Sequence, residues 1–242
     1  MYGWRARIGI IVSPPNTVAE VEFNKMVPEG VSVHASRMFR PPHVSALTRE
    51  SLETTNESLP QVAGALAPLK PDVLVFTHTL GSMVWGAGND GQLTSMLSES
   101  AGCPTITTAG AVLAAFQELD ARRVALVAPY PSPLVELEKE YLEQSLPGLK
   151  VVNHAFLDMS NGWEIGNMEP REAYRAARDV DCAEADVIFV SGTNWRAIET
   201  IEPLEQDLGK TVLTANQVGM WAALRELGVS GVSGFGSLLQ SH

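Results

Sequence analysis

Residues 6–16 read ARIGIIVSPPN, and residues 122–132 read RRVALVAPYPS. Each stretch runs from a polar start through β-branched and aliphatic residues into a proline turn. That is the pattern of a short strand buried on both faces that ends in a rigid turn. Two more pairs follow in the same order. PDVLVFTHTLGS at 71–82 matches ADVIFVSGTNWR at 185–196, and TITTAGAVLAAFQEL at 105–119 matches VLTANQVGMWAALREL at 212–227. Three matched segments in one order indicate a duplicated α/β unit.

Working outward, strands are expected at 7–12, 72–76, 124–127, 149–152, 186–190 and 211–213. Amphipathic helices are expected at 50–66, 91–100, 109–118, 134–144, 171–183, 197–208 and 217–227. Strands alternating with helices predict parallel sheets. The fold class is therefore α/β: two Rossmann-like halves, 1–118 and 119–242, related by a pseudo-twofold, with the tail free to cross back. In such sheets a ligand sits beyond the carboxyl ends of the strands. The chemistry is expected in the turns after Val12, Phe76, Val127, Val190 and Leu213, in a cleft between the halves.

The chain has 242 residues, 17 Lys+Arg against 28 Asp+Glu, and a formal net charge of −11. This balance argues against a nucleic-acid or anionic-membrane surface. No apolar run approaches the roughly 20 residues of a membrane span. The N-terminus lacks the pattern of a signal peptide, so a soluble cytoplasmic protein is expected. The two cysteines, Cys103 and Cys182, form neither a disulfide framework nor a zinc motif. Both read as small buried hydrophobes. The sequence contains no GxGxxG, no phosphate loop and no GxSxG, and its five histidines have no metal-site spacing. Cofactor-independent chemistry without a metal, on a small carboxylic acid, fits these absences. A monomer and a symmetric dimer both satisfy the composition.

The turns carry the candidate residues. In Ser13-Pro14-Pro15-Asn16-Thr17 the prolines remove backbone donors, while Asn16 can cap a helix or bind a carboxylate. Thr77, His78 and Thr79 combine hydroxyls with an imidazole suited to proton transfer. The repeat sets His78 against Gly192 and Thr79 against Thr193, within Ser191-Gly192-Thr193-Asn194. Glycine there permits close approach to a ligand or simply a tight turn. Tyr130 can donate its phenolic proton to an oxyanion or only pack. Thr214 and Thr107 read as helix N-caps. Arg37 and Arg40 can each pair a carboxylate bidentately or serve as surface charges. Met83, Val84, Trp85 and Trp195 form either a dry pocket wall or core.

Taken together, IGIIVSPPNTVAEVEF, PDVLVFTHTLGS, RRVALVAPY, the long segment from VIFVSGTNWR to LRELG and the closing GFGSLL resemble one family. It is the maleate isomerase and arylmalonate decarboxylase branch of the aspartate/glutamate racemase superfamily. The resemblance spans nearly the whole chain. It implies two Rossmann-like halves, no cofactor, and a cysteine in each half flanking the substrate. In the isomerases one thiol adds to the double bond; in the decarboxylases the second-half thiol protonates an enediolate. Carried onto this chain, the first thiol position falls at or beside His78 and the second at Gly192. The resemblance places the oxyanion cradle at Thr79, Tyr130 and Thr193, with Asn16 at the carboxylate. Neither thiol is present. The leading expectation is a decarboxylase-like lyase with His78 as the acid. The alternatives are a maleate-type cis–trans isomerase or carbon-acid racemase using a non-cysteine base, and a non-catalytic acid-binding protein. A fourth expectation is that a thiol has been lost at position 192.

Overall fold

In the computed structural model, the described residues are 2–41 and 46–241. Eight strands carry the fold. β1 (Ala6–Val12), β2 (Val31–Arg37), β3 (Val73–Thr77) and β4 (Thr105–Thr107) form one sheet in the order β2-β1-β3-β4. β5 (Arg123–Ala128), β6 (Lys150–Phe156), β7 (Val187–Val190) and β8 (Thr211–Thr214) form a second in the order β6-β5-β7-β8. All pairings are parallel. The internal repeat is thus a repeat of topology. β1, β3, β5 and β7 are wholly or almost wholly buried, as their unbroken aliphatic runs require when helices cover both faces.

Two strands escaped the sequence reading. β2 is VSVHASR, an edge strand that alternates apolar and polar residues and is only partly buried. β4 is TIT, too short for a run. The expected helix at 50–66 is two helices, Arg49–Asn56 and Leu59–Gly64, joined at Glu57-Ser58. The helix Ala19–Met26 and the single-turn helix Thr79–Met83 were also not anticipated. Met83, Val84 and Trp195 are buried core side chains, and Trp85 packs against that core.

The helix after the fourth strand of each sheet reaches the other sheet. Phe116, on the helix Thr108–Glu118, meets Phe189 of β7 edge-on with ring centroids 5.9 Å apart. On the helix Ala215–Glu226, Gly219 lies against Val75 of β3 and Phe23. A Cβ there would sit 3.3 Å from the Phe23 ring, so glycine lets this helix seat closely on the first sheet. The two helices also pack on each other, and one continuous apolar core runs through both sheets. Among the described residues no helix is long and apolar enough to cross a membrane.

Candidate active site

In each sheet the chain first steps outward from the first strand and then returns to its other side. β1/β3 and β5/β7 are therefore the switch points, where turns diverge and leave a crevice. The turns after these four strands line a single cleft of about 60 Å³. Pro14 and Pro15 follow β1, His78 follows β3, Tyr130 follows β5, and Gly192, Thr193 and Asn194 follow β7. A cleft of this size admits only a small molecule. The turn after β8 is different. Thr214 caps its helix in a reciprocal capping box, and Thr107 caps the equivalent one. Those turns hold helices and do not reach the cleft, which corrects the expectation for the turn after Leu213.

Four candidates lie behind the lining. Asn16 is buried; its Oδ1 accepts from the amides of Val18 and Ala19, both at 2.9 Å, as a helix cap does. Its Nδ2 donates to Thr193 Oγ1 at 3.2 Å. Thr193 Oγ1 in turn donates to the Thr77 carbonyl at 3.0 Å. Thr77 donates its own hydroxyl to Ile11 O at 2.7 Å. Thr79 and Ser191 are fully buried, and both lie beside the Tyr130 hydroxyl. Asn16, Thr77, Thr79 and Ser191 therefore do not line the cleft; they support the groups that do. Asn194 serves both purposes. It accepts from Thr17 N at 3.0 Å and donates to Gly162 O at 2.6 Å, tying three loops together.

The two arginines separate cleanly. Arg37 is consumed: its guanidinium donates to the carbonyls of Ser13, Pro14 and Asn16 and pairs with Glu20 at 3.0 Å. It rigidifies the first turn. Arg40 lines the cleft and faces His78. Residues 42–45, next to it, lie outside the described residues. Among the described residues, 83–87 do not line the cleft. Ser160, Gly162 and Ile165 do, and the dry wall is made by Leu47, Leu52, Leu80 and Ile165.

His78 heads the helix Thr79–Met83 as its N-cap residue. Its ring packs edge-on to Phe76 at 5.9 Å. A Cβ at Gly81 would fall 2.2 Å from Nδ1, so glycine is what allows the imidazole to lie against this turn. Among the described residues Nδ1 is buried with no hydrogen-bond partner, and His78 lines the cleft. Burial, and then the positive charge of Arg40, lower the imidazole to a pKa of about 4. At neutral pH it is uncharged, with a free lone pair.

Gly192 has φ +114°, and a Cβ there would lie 3.1 Å from Tyr130 Oη. The backbone at 192 takes a conformation that favours glycine. Gly192→Cys is expected to lose stability by about 1–3 kcal/mol from backbone strain, read as a lower thermal midpoint. Cys103 and Cys182 are half-buried free thiols, and neither lines the cleft. They are less buried than a core reading implies.

Two buried carboxyls missed by the sequence reading flank this region. Glu22 accepts from Asn216 Nδ2 at 2.7 Å and from the amides of Ala197 and Ile198 at 3.0 and 3.3 Å. The same Asn216 nitrogen donates to Thr193 O at 2.9 Å. Burial raises Glu22 to about 7 against the pull of those hydrogen bonds. Glu138, on the helix Ser132–Ser145, is fully buried next to Ser191. Both could have been found, because each carboxylate interrupts an apolar helical stripe: 19, 22, 23, 26 and 134, 135, 138, 141, 142.

Fold and site together define the class: a duplicated, two-sheet α/β protein of the aspartate/glutamate racemase type, with its cleft at paired switch points. Residues 8–239 match the family model described as arylmalonate decarboxylase, and the chain belongs to that family, which its resemblance to the maleate isomerases extends. It is 30% identical to the maleate isomerase of Geobacillus stearothermophilus, over 96% of each chain. Among solved structures, a maleate cis–trans isomerase of Nocardia farcinica superimposes with TM-score 0.91 at 27% identity, covering 98% of this chain and 99% of that one. That structure is a cysteine-to-serine variant with a covalently bound succinylcysteine intermediate. A maleate isomerase of Pseudomonas putida, a cysteine-to-alanine variant with maleate, gives TM-score 0.90 at 26% identity over 97% of each chain.

Proposed function

We propose that this chain is a cofactor-independent isomerase of a small unsaturated dicarboxylic acid, with His78 Nε2 doing the work that sulfur does in its relatives. The observation that carries the reading is a deeply set imidazole in a sulfur-free cleft, facing a guanidinium and a buried phenol, where burial lowers its pKa. A cis-enedioate binds with one carboxylate against Arg40 and the other toward Tyr130 and Thr193. Nε2 donates its lone pair to one olefinic carbon. The π electrons move onto the adjoining carboxylate, giving an enediolate whose charge is held by the Tyr130 hydroxyl and the Thr193 turn. The former double bond, now single, rotates. The enediolate then re-forms the double bond in the trans geometry and expels the neutral imidazole. No proton and no redox partner is consumed. A nitrogen of low pKa is a weak nucleophile but a good leaving group, and at neutral pH it is not lost to protonation.

The roles of the flanking groups follow from the same reading. Pro14, Pro15 and Asn194 shape the carboxylate pocket. Asn16 and Thr77 hold Thr193, while Thr79 and Ser191 support Tyr130, with Gly192 giving the phenol room. We place the division between the halves at 118/119, with the closing helix crossing back.

A second reading has one observation in its favour. The wall of Leu47, Leu52, Leu80 and Ile165 is apolar, and desolvating a carboxylate favours its loss as CO₂. Proton NMR of the protein with maleate in D₂O separates the two. The expected result is fumarate, with no deuterium at carbon and no CO₂. Inertness toward maleate and other cis-enedioates overturns the isomerase, and CO₂ release from malonates installs the lyase in its place.

A further inference from the structure

Glu138 sits at the centre of the buried stripe of its helix, flanked at helical spacing by Leu134, Val135, Tyr141 and Leu142. Both of its carboxyl oxygens are buried without a well-aligned hydrogen bond. So are the hydroxyls of Ser191 and Thr79. These orphaned atoms are contiguous. The Ser191 hydroxyl lies beside the Glu138 carboxyl, and the Tyr130 hydroxyl lies beside both Ser191 and Thr79. An unpaired buried carboxylate costs several kcal/mol, so its retention under the cleft asks for a reason. Among the described residues no charged side chain shifts it. On its own helix Glu136 and Lys139 pair with each other, and His154 of β6 pairs with Glu136 at 2.7 Å. Tyr141 flanks Glu138 one turn on, and on the cleft side the titratable and charged groups are Tyr130, His78 and Arg40.

We propose that the protonation state of Glu138 sets the direction of a hydrogen-bond chain, Glu138–Ser191–Tyr130, and thereby decides whether Tyr130 donates its proton into the cleft. This positioning role rests on the acid-binding cleft of the proposed function. As a carboxylic acid, Glu138 has one O–H to give to Ser191 Oγ. The Ser191 proton is then free for Tyr130 Oη, and the phenolic proton is free for a bound oxyanion. As a carboxylate, Glu138 can only accept. Ser191 turns to donate to it, Tyr130 turns to donate to Ser191, and the oxyanion loses its donor. Burial raises Glu138 to about 8, which puts the neutral form in the majority at pH 7. The same carboxyl, after burial, adds to the upward shift of the Tyr130 phenol.

Two measurements test this on the full chain. The first needs no ligand: the infrared carbonyl stretch of protonated carboxyls in D₂O near neutral pH. The wild type is expected to show a band that titrates near 8, is absent in Glu138→Gln, and shifts in Ser191→Ala, which removes its acceptor. If Glu138→Gln removes no band, or Ser191→Ala leaves the band in place, the chain does not exist. The second is calorimetric binding of malonate and maleate between pH 6.5 and 9. Wild-type affinity is expected to fall about tenfold or more as the carboxyl ionises, the scale of a lost hydrogen bond to a charged group. Glu138→Gln, whose amide still donates, is expected to give a flat profile. Parallel profiles in the two proteins overturn the proposal. If neither acid binds at any pH, the functional reading fails, and the relay stands or falls on the infrared result alone.

Discussion

Replacing His78 with alanine is expected to cut turnover of a cis-enedioate by at least about 10³-fold, because the bond-forming atom is removed and the cradle alone remains. Binding of the acid should change far less, since Arg40, Tyr130 and Thr193 are untouched. The pH dependence gives a sharper signature. The wild-type rate is expected to keep its acid limb near pH 4, where the buried imidazole takes its proton, and not near 6.5, where a solvated histidine would. Stability carries the same shift with a definite sign. The folded pKa lies below the unfolded one, so the unfolded chain binds the extra proton. Stability attributable to this group is complete above about 6.5 and is lost as pH falls toward about 4. His78→Ala should flatten that segment of the stability curve, as measured by denaturant unfolding across this pH range.

The second large effect is structural. Phe116→Ala is expected to destabilise the protein by about 3–5 kcal/mol, the cost of an emptied aromatic site in a close-packed core. Phe116 has no exposed surface, and its partner Phe189 belongs to the other sheet. The loss should lower the midpoint of both sheets together, by roughly 10 °C for a chain of this size. Two separate transitions, one moved and one not, would contradict a shared core. Circular dichroism and tryptophan fluorescence followed through the same melt report this directly.

Much of this was legible in the chain because buried parallel strands have an unambiguous vocabulary. IGIIV, VLVF, VALVA and VIFV are apolar on both faces, and their repetition exposed the duplication. β2 was not legible, because an edge strand that alternates Val-Ser-Val-His-Ala-Ser pays no visible hydrophobic price. The cleft was located correctly as the meeting place of strand ends. The sequence could not say which ends meet, because that depends on strand order. Only β1/β3 and β5/β7 diverge; β4 and β8 end in helix caps. Asn16 and Thr79 lie one layer behind the lining. Of the two readings open for Met83, Val84, Trp85 and Trp195, the structure takes the core, and the dry wall falls to Leu47, Leu52, Leu80 and Ile165. Glu22 and Glu138 stood in plain view as carboxylates inside apolar stripes.

The exchange of closing helices between the sheets also says something about origin. A single half, carrying only its own four strands, would leave bare the surface on which the other half's helix now rests. Two identical copies would cover that defect by trading arms, which is how domain-swapped dimers are held together. The present chain has the form of such a pair fused end to end. Joined in one chain, the two halves are free to differ, and the repeat-matched positions 78 and 192 hold an imidazole and a glycine on one cleft.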